Sequence, residues 1–201
     1  VGQPIPTEIQ GSALFADISG FTALAERLSR ELGQERGAEE LNTQVNYTFV
    51  GLIDATDRYR GSVLRFSGDA LTVWFAGPNH AARAVTAALA MQAVMSAVAA
   101  VLPDLRLKVG LGSGLGRRFL PGDPSMGVFD VRIGPAITRM AEAESLAEPG
   151  RIVICPETAR AVEGQFTLRP LHDGHQIILP TIFASAPSES GRWPSIRWLN
   201  H

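Results

Sequence analysis

Two aspartates, Asp17 and Asp69, stand where their carboxylates could hold a metal ion. Asp17 ends the small and apolar run ALFA, and the glycine-containing turn Ile18–Thr22 follows it. Asp69 lies in a tight turn, Ser67-Gly68-Asp69, between two apolar runs. If the strands that carry them are neighbours, both carboxylates reach one edge of the sheet and repel each other. A divalent cation such as Mg²⁺ removes that repulsion, because it prefers oxygen ligands and completes its shell with water and phosphate.

The turn after Asp17 also favours a phosphate group. Apolar residues at helical spacing (Phe21, Leu24, Leu28) predict a helix that begins directly after it. The first N–H groups of a helix have no intrahelical acceptor, and the helix dipole places positive potential there. A metal ion beside such a helix start is typical of a nucleoside triphosphate site. Either aspartate taken alone is more simply explained as an N-cap or turn residue, so the prediction depends on their joint occurrence.

The segments FADISGFT (15–22) and LRFSGDALTVWF (64–75) together resemble the catalytic domain of class III nucleotidyl cyclases, and look most like the first cyclase domain of soluble adenylyl cyclases. The likeness covers about residues 10–155. It implies that Asp17 and Asp69 are catalytic and bind two Mg²⁺ or Mn²⁺ ions, with the backbone carbonyl of Ile18 as a further ligand. The residues that it implies for binding the triphosphate of ATP are Ser19, Gly20, Phe21 and Thr22. The implied enzyme is an adenylate cyclase, a phosphorus–oxygen lyase that forms cyclic AMP and pyrophosphate by two-metal catalysis.

The residues that the same resemblance assigns to the other half of the site depart from the family pattern. Cyclase sites are shared between two domains, and the second domain supplies base-reading residues, an Asn that orients the ribose and an Arg for the transition state. In this chain the base-reading positions are Arg65 and Val131, with Asp130 one place from the latter. The Asn and Arg positions hold Thr138 and Glu142. Glu142 would place negative charge where negative charge develops, and arginine is no conservative replacement for lysine.

Two functional interpretations follow from these departures. In the first, the chain supplies the metal-binding half of an adenylate cyclase site and is inactive or weak without a second cyclase homology domain, from the same longer polypeptide or a dimer mate. In the second, it is a catalytically inactive cyclase-like module for nucleotide binding and dimerisation. Arg139 is a candidate to replace the missing arginine. Arg65 falls where the resemblance places a bicarbonate contact, which makes bicarbonate a candidate regulator.

Composition narrows the class of protein. The 201 residues are 45% hydrophobic and carry a net charge of −2, which suits one globular domain and gives no reason to expect a nucleic acid or membrane partner. Cys155, the sole cysteine, excludes an intramolecular disulfide and favours a reducing compartment, so a cytoplasmic location is expected. The uncharged stretch 84–102 is mostly alanine and predicts a helix packed on a sheet rather than a membrane span.

The predicted elements that position these residues follow the order β-α-α-β-β-α-β-β-α-β-α-β. This order favours an α/β (α+β) sandwich with one mixed, mostly antiparallel sheet covered by helices, and the resemblance implies the ferredoxin-like form of class III cyclases. The first strand is predicted over 11–17, and a Gly/Pro-rich connection over 115–128. His80 is interpreted as a surface residue at a helix start. The predicted organisation is an N-terminal lead (1–10), a cyclase homology domain (11–184) and a tail or linker (185–201).

Overall fold

The computed structural model describes residues 7–120, 122–123, 127–128 and 131–179. Within them, five helices and ten strands follow one another in the order predicted, with additional short strands. The helices are α1 (Phe21–Leu32), α2 (Gln34–Arg58), α3 (His80–Ala99), α4 (Pro135–Ser145) and α5 (Pro156–Ala161). The strands are β1 (Thr7–Ser19), β2 (Ser62–Ser67), β3 (Ala70–Ala76), β4 (Arg106–Phe119), β5 (Gly122–Asp123), β6 (Gly127–Val128), β7 (Val131–Ile133), β8 (Ile152–Ile154), β9 (Leu168–Pro170) and β10 (Gln176–Ile178).

The main sheet is mixed and mostly antiparallel, as predicted. Its strands follow the order β2-β3-β1-β4-β8-β10-β9, and β7 pairs with the far end of β4. The pair β4–β8 is parallel, whereas the other pairs of this sheet are antiparallel. The two long central strands, β1 and β4, are in register from Thr7 opposite Arg118 to Ser19 opposite Arg106. They form the frame on which the other elements are placed.

Both central strands are longer than the sequence predicts. β1 begins at Thr7, not at Gly11, so residues 7–10 belong to the sheet and not to a lead segment. β4 continues to Phe119 through part of the predicted connection 115–128. Antiparallel pairing holds these extensions together, and Arg117 adds an ion pair to Glu8 at 2.6 Å. The predicted tail 185–201 lies outside the described residues and stays a prediction.

Helices cover both faces of the sheet, as the sandwich prediction requires. On one face, Leu14, Ala16 and Ile18 of β1 are fully buried in a core that includes Leu24 of α1 and Leu52 of α2. Because side chains alternate along a strand, the intervening residues of β1 point to the opposite face. There, Ala13 and Phe15 pack in a second cluster that contains Trp74, Ala136 and Met140. We call this side of the sheet the α4 face.

Helix α3 belongs to the core of the first face. Within the described residues it is the one helix long and apolar enough to cross a membrane by length and composition. Its Ala84, Val85, Ala88 and Met91 are fully buried in the core cluster of the sheet. The helix therefore packs on the sheet, as its alanine-rich composition predicts.

Alternating glycines of β4 allow α4 to lie directly on the strand. A Cβ atom added to Gly110 would lie 2.4 Å from the backbone nitrogen of Glu144, and one added to Gly112 would lie 2.3 Å from that of Met140. Real Cβ atoms do not approach backbone so closely, so any side chain here would push the helix away. The glycines thus determine how near α4 stands to the α4 face.

Candidate active site

The fold brings Asp17 and Asp69 together at one end of the sheet. Strands β1 and β3 are neighbours, and Asp17 is in register with Ala70, the residue after Asp69. The backbone N–H of Ile18 donates a hydrogen bond to the carbonyl of Asp69 at 3.1 Å. Gly68, with φ of +62°, supplies the left-handed conformation of the turn that carries Asp69. The expectation that their strands are neighbours is therefore confirmed.

Strand alternation places Asp17 on the α4 face. Asp17 follows Ala13 and Phe15 at two-residue intervals, and both of those residues pack in the Trp74 cluster. Asp17 is half-buried, while Asp69 in its turn is exposed. The end of the α4 face thus presents one partly desolvated and one solvated carboxylate.

The electrostatic environment of Asp17 favours a bound cation. Burial raises the pKa of Asp17 above its ordinary value, and the neighbouring carboxylate of Asp69 raises it further. Lys108 lowers the pKa of Asp17 and Glu144 raises it. A divalent ion would offset both the desolvation and the repulsion. Among the described residues there is no cluster of three or more His, Cys, Asp or Glu side chains, so these two carboxylates would leave several ligand positions to water and phosphate, as Mg²⁺ prefers.

Lys108 is a cation at this end of the sheet that the sequence analysis missed. It lies on β4 directly opposite Asp17. Its Nζ is 2.5 Å from Oε1 of Glu144 on α4, and both side chains are about four-fifths buried. The sequence shows Lys108 only as one polar residue in an alternating strand. A prediction of the β1–β4 register would have been needed to place it beside Asp17.

The turn after Asp17 has the backbone features expected of a phosphate cradle. Gly20 precedes α1 with φ of +102°, and no side chain caps the N-terminus of the helix. A Cβ atom at Gly20 would lie 2.0 Å from the carbonyl oxygen of Asp104, so only glycine fits there. The Oγ of Ser19 donates to the carbonyl of Arg106 at 3.3 Å, and the ring of Phe21 packs on the core. Of these side chains, that of Thr22 is exposed. Any phosphate contact by this turn would therefore be made mainly by backbone N–H groups.

Of the residues predicted for the other half of a site, Val131 lies far from Asp17 along β4. Val131 pairs with Phe119, which stands eleven residues further along β4 than Lys108, the partner of Asp17. At about 3.3 Å per residue this separation is roughly 35 Å. Thr138 and Glu142 are exposed on α4, one helical turn apart.

The positions of β7 and of Arg65 bear on the residues that were predicted to read the base. Arg132, not Val131, lies over the ring of Trp74, with its guanidinium carbon 4.9 Å from the ring centroid. Val131 is on the other side of β7 and 40% exposed. Asp130, the alternative position, lies outside the described residues. Arg65 is exposed and opposite Thr72, which is itself opposite Phe15, so Arg65 shares the α4 face with Asp17.

Arg139 is engaged in structural contacts. Its Nη1 donates to the carbonyl of Ser113 at 3.0 Å, and its Nε lies 3.1 Å from Oε2 of Glu157 on α5. These contacts join α4 to β4 and α5. The suggestion that Arg139 replaces the missing transition-state arginine stays a prediction.

Comparison with known proteins identifies the fold and the sequence pattern. Residues 8–175 match the family described as "Adenylate and Guanylate cyclase catalytic domain". Adenylate cyclase type 10 of Mus musculus is 30% identical over 152 residues, 73% of this chain and 9% of the mouse protein, and that of Homo sapiens is 28% identical over 160 residues, 77% and 10% of the two chains. This chain therefore spans about a tenth of these relatives. The adenylyl cyclase CyaB of P. aeruginosa superposes with a TM-score of 0.76 at 21% identity, covering 91% of this chain and all of CyaB. The guanylate cyclase domain of RhGC from Catenaria anguillulae, solved with GTP, superposes with a TM-score of 0.70 at 21% identity, covering 86% and 96% of the chains.

Proposed function

Because the chain belongs to the adenylate and guanylate cyclase catalytic domain family, we propose that it is an adenylate cyclase domain that supplies the metal-binding half of a shared site. It converts ATP to cyclic AMP and pyrophosphate when a second cyclase homology domain completes the site. The observation that carries the proposal is the meeting of Asp17, Asp69 and Lys108 at one end of the α4 face. We propose ATP and not GTP as the substrate because the relatives quoted above from Mus musculus and Homo sapiens are named adenylate cyclases.

Each residue at this end has a role that follows from its charge and position. Asp17 and Asp69 would hold two Mg²⁺ or Mn²⁺ ions, with the carbonyl of Ile18 as a further oxygen ligand. When bound, such ions would supply Lewis-acid chemistry at the ribose 3′-hydroxyl and would neutralise charge on the phosphates. The N–H groups at the start of α1 hold phosphate oxygens. Lys108 adds a positive charge that Glu144 keeps in place until phosphate competes for it.

The dimensions of the chain support a site shared with a partner. The metal end and the Val131 end of β4 are roughly 35 Å apart, which is longer than a nucleoside triphosphate. One nucleotide therefore cannot contact both ends of the same chain. Glu142 also disfavours a second active site built from this chain's own transition-state position, since it adds negative charge there.

The decisive experiment measures cyclic AMP formed from Mn²⁺–ATP by this chain alone and by a longer protein that includes its downstream sequence. We expect activity only in the longer protein, and a loss of at least about 100-fold in Asp17→Asn and in Asp69→Asn. Asp54→Asn, an exposed aspartate on α2, is the matched control and should keep full activity. Robust activity of the short chain alone would contradict the shared site, and an active Asp17→Asn variant would contradict the metal assignment.

A catalytically inactive nucleotide-binding and dimerisation module is the second candidate. Thr138 and Glu142 favour it, because neither side chain can do the work of the Asn and Arg that the family places there. The two candidates are separated by measuring Mg²⁺–ATP binding alongside turnover in the longer protein. Binding without turnover supports the regulatory module.

Bicarbonate regulation through Arg65 is a separate part of the proposal. Arg65 is an exposed cation on the same face as Asp17, where a small anion could bind between two domains. Arg65→Ala should abolish stimulation by bicarbonate and leave basal turnover unchanged, whereas Arg58→Ala on α2 should alter neither. Unchanged stimulation in Arg65→Ala would contradict this role.

A cytoplasmic location is retained as part of the proposal.

A further inference from the structure

A continuous chain of hydrogen-bonded polar side chains crosses the first face of the sheet, away from the α4 face, and all of them except the half-buried His80 are buried. Nδ1 of His80 lies 2.8 Å from Oγ of Ser12, which lies 2.7 Å from Oγ of Ser113. Ser113 Oγ is 2.7 Å from Oγ1 of Thr158, and that oxygen is 3.2 Å from Sγ of Cys155. Ser12, Ser113, Thr158 and Cys155 are each at most 5% exposed. The chain joins the start of α3 to β1, β4 and the start of α5.

Each hydroxyl in this chain can reverse its role, because a serine or threonine is both donor and acceptor. When His80 is neutral and Nδ1 accepts, Ser12 donates to His80, Ser113 donates to Ser12, and Thr158 donates to Ser113. When His80 is protonated, Nδ1 donates to Ser12, whose own hydroxyl proton then finds its acceptor in Ser113, and the following bonds point the other way. The last donor is then Thr158, and its acceptor is the sulfur of Cys155.

The sulfur is already placed as an acceptor. The backbone N–H groups of Ser113 and Thr158 both donate to Sγ of Cys155, each at 3.4 Å. A hydroxyl proton from Thr158 would be a third donor at the same atom. Cys155 is therefore equipped to close the reversed chain, although it is too deeply buried to react with solutes.

The pKa of His80 depends on its burial and on the polar and charged groups that face it. Burial lowers the pKa of His80, and Arg83 on the same helix lowers it further. From β1 and β4 the facing groups are the hydroxyls of Ser12 and Ser113, and from α5 they are Thr158 and, beyond it, the thiol of Cys155. Among the described residues, Arg83 is the one charged group that contributes to the shift.

We propose that His80, Ser12, Ser113, Thr158 and Cys155 form a reversible hydrogen-bond relay, in which protonation of His80 reverses the direction of every bond as far as the cysteine sulfur. The relay joins the two central strands, β1 and β4, to the starts of α3 and α5. It is independent of the cyclase proposal, because none of its members is placed in the metal or phosphate site.

The test is an NMR titration of the imidazole of His80 in the full 201-residue chain and in Thr158→Val. Valine has nearly the same shape but no hydroxyl, so protonated His80 would leave the Ser113 hydroxyl without an acceptor. We expect the titration midpoint of His80 to move to lower pH, although Thr158 does not contact His80. Thr56→Val is the matched control, because Thr56 is equally buried and its Oγ1 donates only to the carbonyl of Leu52 in its own helix. That variant should titrate like the wild type.

A second pair of variants keeps the proposal falsifiable if Thr158→Val fails to fold. Cys155→Ala removes the terminal acceptor and should lower the midpoint of His80 in the same direction, whereas Thr158→Ser keeps the hydroxyl and should restore the wild-type midpoint. If the midpoint in Thr158→Val or Cys155→Ala equals that of the wild type, the residues are not coupled and the relay is refuted.

Discussion

Replacing Gly112 by alanine should force α4 away from the sheet. The new Cβ atom would lie 2.3 Å from the backbone nitrogen of Met140 and 2.4 Å from the carbonyl oxygen of Ala136. Ordinary contacts begin at about 3.4 Å, so the helix must retreat by about 1 Å. Neither neighbour can rotate aside, because both belong to helix backbone.

The change in unfolding free energy of Gly112→Ala follows from two opposing contributions. Overpacking of this kind costs about 1–3 kcal/mol, while alanine restricts the unfolded chain and returns about 0.4–1 kcal/mol. The net loss is about 1–2 kcal/mol of unfolding free energy, which lowers Tm by about 2–8 °C in a protein of this size. Calorimetry and urea unfolding measure the loss. Because α4 carries Glu144, the same retreat should weaken the Lys108–Glu144 pair and Mg²⁺–ATP binding in the longer protein.

Gly116→Ala is the matched control for this prediction. It adds the same methyl group to the same strand and face, but its nearest neighbour is the ring edge of Trp74, a side-chain atom at 2.5 Å. The ring can shift more easily than a helix backbone, so the loss should be smaller and α4 should keep its place. The reasoning is refuted if Gly112→Ala is as stable as the wild type, or if Gly116→Ala is the more destabilised of the two.

Two further predictions concern stability. Arg83 donates to the carbonyls of Tyr59 and Arg60 at 3.0 Å, and also to those of Ala76 and Pro78, so Arg83→Ala should lose about 1–3 kcal/mol in urea unfolding. Arg83→Lys, which cannot reach all four oxygens, should recover only part of that, and an unchanged midpoint in Arg83→Ala would contradict the role. Burial, and after it the carboxylate of Asp69, raise the pKa of Asp17 in the folded protein. The ionised Asp17 side chain therefore destabilises the metal-free fold. The free energy of unfolding falls as pH rises from 3.8, the ordinary pKa of an aspartate, through the raised pKa of the folded protein. Asp17→Asn should therefore be the more stable protein without metal at neutral pH, and saturating Mg²⁺ should reverse the order, since at about 100 Kd it adds about 2.7 kcal/mol to the wild type alone.

Several features could be predicted from local sequence because each is encoded over a few residues. Alternating and helical apolar patterns predicted the succession of strands and helices, and the two Asp-containing turns predicted which strand ends would present carboxylates. The pairing of β1 with β3 followed from the assumption that apolar strands beside these turns are neighbours, and the register of Asp17 with Ala70 confirms it. The metal and phosphate roles themselves stay predictions.

Other features depended on register between distant strands and could not be read locally. Lys108 lies beside Asp17 only because β1 and β4 pair over their full length, a fact that the intervening residues 18–107 do not encode. Likewise, the contacts of Arg139 with Ser113 and Glu157, and the position of Arg132 instead of Val131 over Trp74, depend on which face each element turns toward its neighbour.

The chain's sequence alone therefore determined its family pattern and the two carboxylates on which metal binding would depend. Tertiary structure decided which cation accompanies them, how closely α4 approaches β4, and that Val131 lies far along β4 from Asp17 whereas Arg65 shares the face of Asp17. The physical reason is that the two-residue period of a strand specifies which side chains share one face of that strand. Which strands become neighbours, and which residues then lie opposite one another, is specified only by long-range pairing.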